Sequence, residues 1–269
     1  MSKPPRFFID PFQVAGTSIT VTGDDLRHIR TVLRKAPGDL LTLLDGRGSE
    51  YTVRITEVRQ DGISTAVIER KQRERQGPVI TLGQGIAKAD KMDWIVQKAT
   101  ELGVSSLVPL VTERTIVKVK DEEKRVSRWQ KICREAAMQC GRPDIPRVEK
   151  IRSFWDFLDG LHDHRTPLHP PLARGEHKGG EQDTGALRAG TLLLLPWEEE
   201  TRPIKNVLRS YPGAQNIVVL IGPEGGFSQA EADNAREKGF HLVSLGPNIL
   251  RTETAAVAVL SMIGYESLW

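Results

Sequence analysis

Short runs of alternating apolar and polar residues fill the first part of the chain. They read SITVTG, DLLTLLDG, EYTVRITEV and ISTAVIE, and glycine or aspartate separates most of them. Alternation with a period of two predicts half-buried strands, and the glycines and aspartates predict turns between them. We therefore expect residues 1–77 to form a small β-rich domain that ends in the charged linker KQRERQG.

One segment of this domain, DDLRHIRTVLR, has the periodicity of a helix instead. Its apolar residues Leu26, Ile29, Val32 and Leu33 recur at helical spacing and predict a buried face. The other face is predicted to present basic side chains to solvent: Arg27, His28, Arg30, Arg34 and Lys35.

After residue 77 the pattern changes to apolar strands that alternate with helices. The strands read VITLGQGIA, SSLVPLV, TLLLLPW, NIVVLIG and HLVSLG, and two of the helices read KMDWIVQKATELG and RWQKICREAAMQCG. This alternation is typical of a parallel sheet covered by helices. The sequence therefore predicts a second domain, of the α/β class, over residues 78–269.

Several helix ends and one long loop carry local signals. Asp90 is the predicted N-cap of the first helix of the second domain, and Gly103 its end. Ser228 and Glu231 have the spacing of a capping box. Residues 160–190 are polar and rich in His, Pro and Gly, which predicts a long loop or insertion. The histidines that cluster in this stretch lack the spacing of metal ligands, so no metal site is predicted: His162, His164 and His169.

Composition narrows the class of protein. The chain is 39% hydrophobic and 27% charged, as in soluble globular proteins. MSKPPRFFIDPF has prolines where a signal peptide needs an apolar run, and TLLLLPW is far shorter than the roughly 20 residues that span a bilayer. Cys133 and Cys140 fall in one helical pattern, too far apart to bond, and we interpret them as buried thiols rather than a redox or metal pair. These features predict a cytoplasmic protein.

The charge is distributed unevenly. The net charge is +3, but residues 114–152 contain 12 Lys and Arg against 6 Asp and Glu, whereas residues 191–269 contain 6 against 9. A basic excess in the middle of the chain fits a polyanionic partner. A solvated basic face fits it equally well.

The stretch IGPEGGF follows an apolar strand and contains Gly222, Gly225 and Gly226. A P-loop would need a lysine and a Ser or Thr after the last glycine, but Phe227 stands there. The spacing also differs from the Rossmann fingerprint. Glu224 would repel a phosphate. The loop is therefore predicted to hold an uncharged group by close backbone contacts, which residues without a Cβ permit.

Two further strand ends carry loops of similar character. LLPWE and LGPNILRTE accompany IGPEGG, and Pro223 and Pro247 stiffen two of the three loops. Together they would surround one flat ring. The alternative is that the glycines only form tight turns.

These stretches resemble the RsmE family, SPOUT-class methyltransferases that make N3-methyluridine in 16S ribosomal RNA. IGPEGGFS followed by LGPNILRTETAA is similar to the family's C-terminal signature. LRHIRTVLR and LLDGRG are similar to its N-terminal domain, and KADKMDWIVQKATELGV and RWQKICREAAMQCGR to its middle motifs. The resemblance covers nearly the whole chain apart from about 160–190.

The resemblance implies a SPOUT parallel sheet with a C-terminal deep trefoil knot, preceded by a β-barrel-like, PUA-like domain. It also implies bound S-adenosylmethionine (SAM), a substrate in the 16S rRNA of the small ribosomal subunit, and a homodimer formed through the helix TAAVAVLSMIGYE. The implied cofactor-binding residues are Leu195, Pro196, Gly222, Pro223, Glu224, Gly225, Gly226, Leu245, Gly246, Ile249, Leu250, Thr252 and Ala256.

The chemistry needs few side chains. Uridine N3 is a poor nucleophile while it is protonated, so a base or a positive neighbour would help. Beside the cofactor loop, Arg251 is the candidate to stabilise charge on the uracil oxygen and Glu253 the candidate to accept the proton. Glu198 is a second candidate base. Alternatively, Arg251 and Glu253 pair with each other or orient the loop.

RNA contacts are predicted from basic and polar side chains on two helices. They are Arg27, Arg30, Arg34 and Lys35 in the first domain, and Arg134, Gln139 and Arg142 on the polar side of the Cys133 helix. Two other functions remain open: a SPOUT enzyme that methylates ribose or another base, and a non-catalytic RNA-binding protein.

Overall fold

The computed structural model describes residues 4–73, 76–118, 120–161 and 190–268. Two compact units make up the chain: Met1–Arg75 with Ala137–Ile145, and Gln76–Ala136 with Pro146–Trp269. Most of the predicted loop at 160–190, with His162, His164 and His169, lies outside the described residues.

The first unit is built on one mainly antiparallel sheet, and the β-rich character predicted for this part of the chain is confirmed. The strands run in the order β1-β4-β5-β6-β3-β2, and only β1 and β4 pair in parallel. Their bounds are β1 Arg6–Phe8, β2 Val14–Ala15, β3 Ser18–Val21, β4 Leu40–Leu44, β5 Ser49–Val58 and β6 Ile63–Gln72. Alternate apolar side chains of these strands, such as Leu41, Val53 and Ile63, form the core.

The helix predicted in this unit departs from regular α geometry. Helix α1 (Asp24–Arg27) continues as a π-helix over His28–Val32. Leu26 and Ile29 are buried as predicted, but the prediction is wrong for Val32, which is 68% exposed. The Leu33 N–H donates to the His28 carbonyl, five residues back, so the wider turn shifts Val32 away from the face that a regular helix would bury.

A segment distant in sequence completes the first unit. Ala137 packs with Phe8 and Leu44, and Asp144 forms a β-bridge with Gly46. These contacts explain why residues 137–145 belong with the N-terminal residues.

The second unit contains one parallel sheet, which confirms the predicted α/β class. Its strand order is β10-β8-β7-β12-β11-β13, with β9 beside β8, and every pairing is parallel. The strands are β7 Val79–Gly85, β8 Ser106–Val111, β9 Arg147–Val148, β10 Arg152–Ser153, β11 Thr191–Pro196, β12 Asn216–Ile221 and β13 His241–Val243. The helices are α2 Asp90–Glu101, α3 Glu122–Cys140, α4 Phe154–Gly160, α5 Ile204–Ser210, α6 Gln229–Glu237 and α7 Thr252–Leu268. The central strands are almost wholly apolar, as expected when helices cover both faces.

The helix ends follow the sequence signals in part. Ser228 and Glu231 form the predicted capping box of α6. Gly103, which has a positive φ, follows the end of α2. Asp90 is not the N-cap of α2 but its first residue. The cap position belongs to Ala89, whose φ of 47° is unusual for a residue with a side chain.

The two cysteines of α3 differ in environment. Cys133 is buried, as predicted. The prediction of a buried thiol is wrong for Cys140, which is exposed because it is the last residue of the helix. Among the described residues, no helix is long and apolar enough to cross a membrane.

Candidate active site

Three loops meet at the carboxyl edge of the parallel sheet. They follow β11, β12 and β13, and β11 is hydrogen-bonded to both of the others. Residues 197–198, 222–227 and 244–250 belong to these loops. Ligands of open α/β sheets bind at this edge, so the topology itself brings the predicted glycine and proline loops together.

A cavity of about 360 Å³ lies between these loops and the start of α7. Its lining combines backbone-rich loop residues with a few charged side chains: Lys91, Pro196, Glu198, Ile221, Gly222, Pro223, Glu224, Gly225, Gly226, Phe227, Ile249, Leu250, Arg251, Thr252 and Ala255. A smaller cavity of about 110 Å³ shares Pro196, Ile249 and Leu250 and reaches Leu245 and Gly246. The larger volume falls in the range of about 300–1,000 Å³ typical of small-ligand sites.

The glycine loop is folded tightly on itself. A Cβ on Gly222 would lie 2.9 Å from the Gly226 carbonyl carbon and 3.1 Å from the Phe227 nitrogen, which are both backbone atoms. Gly226 has a φ of 67°, and its N–H donates to the Pro223 carbonyl at 3.0 Å. The carboxylate of Glu198 lies over Gly226, since a Cβ there would meet Glu198 Oε1 at 2.9 Å. Glycine is therefore required for steric reasons at position 222 and favoured by its backbone conformation at 226.

A buried hydrogen-bond network ties this loop to β7 and α7. The Thr252 hydroxyl donates to the Gly222 carbonyl at 2.6 Å and accepts from Gln84 Nε2 at 2.9 Å. Gln84 Nε2 also donates to the Gly85 carbonyl. Gln84 is fully buried, and its Oε1 has no hydrogen-bond donor within the described residues. The network fixes the start of α7, and with it the neighbouring Arg251, against the glycine loop.

Glu224, in the middle of the glycine loop, faces the start of α2. Its Oε1 accepts from the Lys88 N–H at 2.9 Å and lies 3.5 Å from Lys91 Nζ. Burial alone would raise the pKa of Glu224, but the Lys88 hydrogen bond and the Lys91 charge, with local backbone donors, outweigh it and hold the pKa below its ordinary value. The glutamate therefore acts within the protein, as an anion beside the amino end of a helix.

Lys91 also contacts the second predicted catalytic residue. Lys91 Nζ lies 3.5 Å from Glu253 Oε2, so Glu253 pairs with Lys91 rather than with Arg251. Glu253 Oε2 is buried and accepts no hydrogen bond from the described residues. Arg251 is exposed and lines the cavity, as Glu198 does, whereas Glu253 is not among the lining residues.

Most of the predicted cofactor-binding residues line one of the two cavities. Leu195 and Ala256 do not, because both side chains are buried in the protein core. Ala255, one residue earlier in α7, faces both cavities instead.

Three residues with polar side chains near the cavity were not predicted. Lys91 and Gln84 are described above, and Arg114 donates to the Gly225 carbonyl at 2.9 Å. A single lysine, glutamine or arginine carries no distinctive sequence signal. Only the position of Gln84 near the end of an apolar strand could have suggested it.

The predicted RNA-binding residues fall into two groups. Arg27, Arg30 and Arg34 are exposed, and Lys35 pairs with Asp39 at 3.8 Å. In α3, Gln139 is exposed and Arg134 half-buried.

Arg142 does not lie on the polar side of α3 as predicted. It follows the end of the helix, and its guanidinium, 11% exposed, pairs with Asp144 at 2.7 Å. Because that carboxylate already occupies part of the guanidinium, Arg142 has fewer donors to offer a partner.

Comparison with known proteins gives the class of this fold and site. A family model described as an RNA methyltransferase domain matches residues 74–264, and an RNA methyltransferase PUA domain model matches residues 21–69. The chain therefore has the fold of an RNA methyltransferase with a PUA-like N-terminal domain. Among the described residues, no group of His, Cys, Asp and Glu could hold a metal ion.

Individual relatives identify the family. The chain is 31% identical over 253 residues to ribosomal RNA small subunit methyltransferase E of Bacillus subtilis (strain 168), covering 93% of this chain and 91% of the relative. It also matches the structure of the Neisseria gonorrhoeae enzyme of that name bound to SAM, with a TM-score of 0.79, 30% identity and coverage of 99% and 98%. The structure of a Legionella pneumophila protein with bound SAM is also similar, with a TM-score of 0.78 and 29% identity, and the match covers 98% of each chain. The chain belongs to the RsmE family, the ribosomal RNA small subunit methyltransferases E.

Proposed function

We propose that this protein uses SAM to methylate N3 of a uridine in the 16S rRNA of the small ribosomal subunit. The observation that carries the proposal is the 360 Å³ cavity at the carboxyl ends of β11 and β12, walled by glycine backbone and edged by Arg251. A ribosomal substrate would be met in the cytoplasm, where the sequence predicts the protein to be.

The cavity fits the cofactor in size and chemistry. Gly222 and Gly226 leave room for close backbone contact, and Pro196, Ile249 and Leu250 supply apolar surface. We propose that the predicted SAM-binding residues in these loops contact the cofactor. Leu195 and Ala256 instead pack in the core behind the residues that line the cavity. When bound, SAM supplies an electrophilic methyl group.

The chain's own contribution is to orient the uridine and manage its charge. Orientation of two reacting groups supplies a large part of such a rate enhancement. Arg251 is proposed to stabilise negative charge on the uracil oxygen as N3 loses its proton. Two side chains are candidates for accepting that proton: Glu198, which lines the cavity, and Glu253, which pairs with Lys91. Substitution of each glutamate by itself distinguishes the two candidates.

A deep trefoil knot is proposed for the carboxyl part of the second unit. The chain leaves β13 at the edge of the sheet, yet α7 packs against α2 and β12, beyond β11. The start of α7 lies beside the glycine loop, where the Thr252 hydroxyl donates to the Gly222 carbonyl. Threading of this kind is rare, and it would hold the three loops around one ligand.

A homodimer is proposed through α7. The helix is apolar around most of its circumference. Ala256, Val259 and Ile263 are buried, whereas Met262 is half-buried and Tyr265 is 70% exposed. One face of α7 is already buried within the protein. The exposed apolar face also needs to be covered, and a second copy of the chain would cover it.

Residues 1–77 are proposed to act as the RNA-binding domain and residues 78–269 as the methyltransferase domain. The exposed arginines at 27, 30 and 34 would contact phosphates. Lys35, Arg134 and Gln139 are the further RNA contacts that the sequence predicts. Arg142 is also proposed to contact RNA, but only through the guanidinium donors that are not bonded to Asp144.

The test incubates unmethylated small ribosomal subunits with the full-length protein and methyl-labelled SAM. We expect label in 16S rRNA with the parent protein and with Arg236→Ala, a surface control in α6. Label on a ribose or another base would instead indicate a different RNA methyltransferase. RNA binding without label would indicate a non-catalytic binding protein.

A further inference from the structure

We propose that Lys91 is a positioning residue that couples the glycine loop to the start of α7 by neutralising two carboxylates at once. The inference rests on the proposed function, because the ligand that the coupled segments would hold is SAM. Lys91, Glu224 and Glu253 lie far apart in the sequence and meet only at the edge of the cavity.

The geometry leaves each carboxylate dependent on the same ammonium group. Lys91 Nζ lies 3.5 Å from both Glu224 Oε1 and Glu253 Oε2. Glu224 Oε1 has the Lys88 N–H as a second partner, but Glu253 Oε2 is buried and has no other among the described residues. The two glutamate side chains are 24% and 19% exposed, so solvent screens them only in part.

The backbone around Lys91 shows that this corner is held from several sides. Ala89, between Lys88 and Lys91, has a φ of 47° and a ψ of −132°. Such a conformation persists only where its surroundings enforce it. The Glu224 hydrogen bond to the Lys88 N–H contributes to that constraint. A shift of the glycine loop would therefore be transmitted to the first turn of α2.

Removal of the lysine should cause repulsion as well as break two ion pairs. In Lys91→Met, Glu224 and Glu253 would face each other without a cation, and the glycine loop would separate from the start of α7. Both segments line the SAM cavity, so cofactor affinity should fall by about fivefold to tenfold, a value discounted for the partial exposure of the pairs.

The double variant distinguishes positioning from direct contact. If Lys91 acts through the carboxylates, Glu253→Gln in the Lys91→Met background removes the repulsion and should restore at least half of the binding free energy that the single variant forfeits. If Lys91 touches the ligand itself, the second substitution restores nothing. Lys91→Arg keeps the positive charge and should retain most of the affinity.

The experiment measures SAM affinity by calorimetry on the full-length protein, with thermal unfolding as a check on folding. Lys98→Met is the matched control, because Lys98 lies in the same helix and pairs with Glu101 at 2.8 Å, and it is not among the cavity-lining residues. The proposal is overturned if Lys91→Met binds SAM as Lys98→Met does, or if Glu253→Gln fails to restore binding. If the parent protein does not bind SAM, the proposed function fails instead.

Discussion

Gly222→Ala tests whether the tight fold of the glycine loop creates the cofactor site. The added Cβ would lie 2.9 Å from the Gly226 carbonyl carbon, about 0.5 Å closer than an ordinary contact of 3.4 Å. No flexible side chain can relieve this contact, because the nearest atoms all belong to the backbone of Gly226 and Phe227. The loop must therefore open by several tenths of an ångström, and such overpacking costs about 1–3 kcal/mol.

The effect on binding should be of the same size as the effect on stability, because a tenfold change in affinity corresponds to about 1.4 kcal/mol. If about half of the overpacking cost is relieved only when the loop leaves its cofactor-binding position, SAM affinity should fall by about tenfold, or about 1.4 kcal/mol. Unfolding should occur about 2–10 °C lower, as expected for 1–3 kcal/mol in a protein of this size. Calorimetry measures the affinity and thermal scanning the stability.

The control is Gly160→Ala, at the end of α4, where the added Cβ meets, among the described residues, only Arg152 Nη1, at 3.5 Å. It should bind SAM as the parent does and should be as stable or slightly more so, because alanine suits a helix better than glycine. The reasoning is refuted if folded Gly222→Ala binds SAM with the affinity of the parent.

Three further predictions concern catalysis, ionisation and RNA. Arg251→Ala should lower single-turnover methylation at saturating SAM by about 100-fold or more while SAM affinity falls much less; a normal saturated rate would remove Arg251 from catalysis. Since the pKa of Glu224 is below its ordinary value of 4.5 in the folded protein, the stability advantage of the parent over Glu224→Gln should be present above pH 4.5 and disappear as the pH falls further; denaturant unfolding that shows a pH-independent difference would contradict this. Replacing Arg27 and Arg34 by alanine should weaken binding to small subunits and lower the salt slope by about one for each phosphate that is no longer bound, whereas Arg59→Ala, already paired with Glu57 at 2.6 Å, should not.

Local patterns predicted the local structure well. The apolar strands and the helices between them indicated the parallel sheet, because strand and helix periodicities depend on neighbouring residues. The Ser228–Glu231 capping box was predicted for the same reason. The π-helical turn that exposes Val32 and the positive φ of Ala89 were not predicted, since neither position has a residue type that marks such a conformation.

Contacts between distant residues could not be predicted from periodicity. The loops of the site were found because glycines and prolines mark them, whereas Lys91 was missed although it lies between Glu224 and Glu253. The sequence also offered a pair between Arg251 and Glu253, which are close in the chain, and the fold pairs Glu253 with Lys91 instead. The addition of residues 137–145 to the first unit likewise depends on the tertiary contacts of Ala137 and Asp144.

The most direct test of the account locates the methyl group. Small subunits that lack the modification are incubated with the full-length protein and SAM, and the nucleosides of their 16S rRNA are identified by mass spectrometry. We expect the parent protein to form one N3-methyluridine per subunit and Arg251→Ala to form far less. A methyl group on a ribose or on another base, or none at all from a protein that binds SAM, would contradict it.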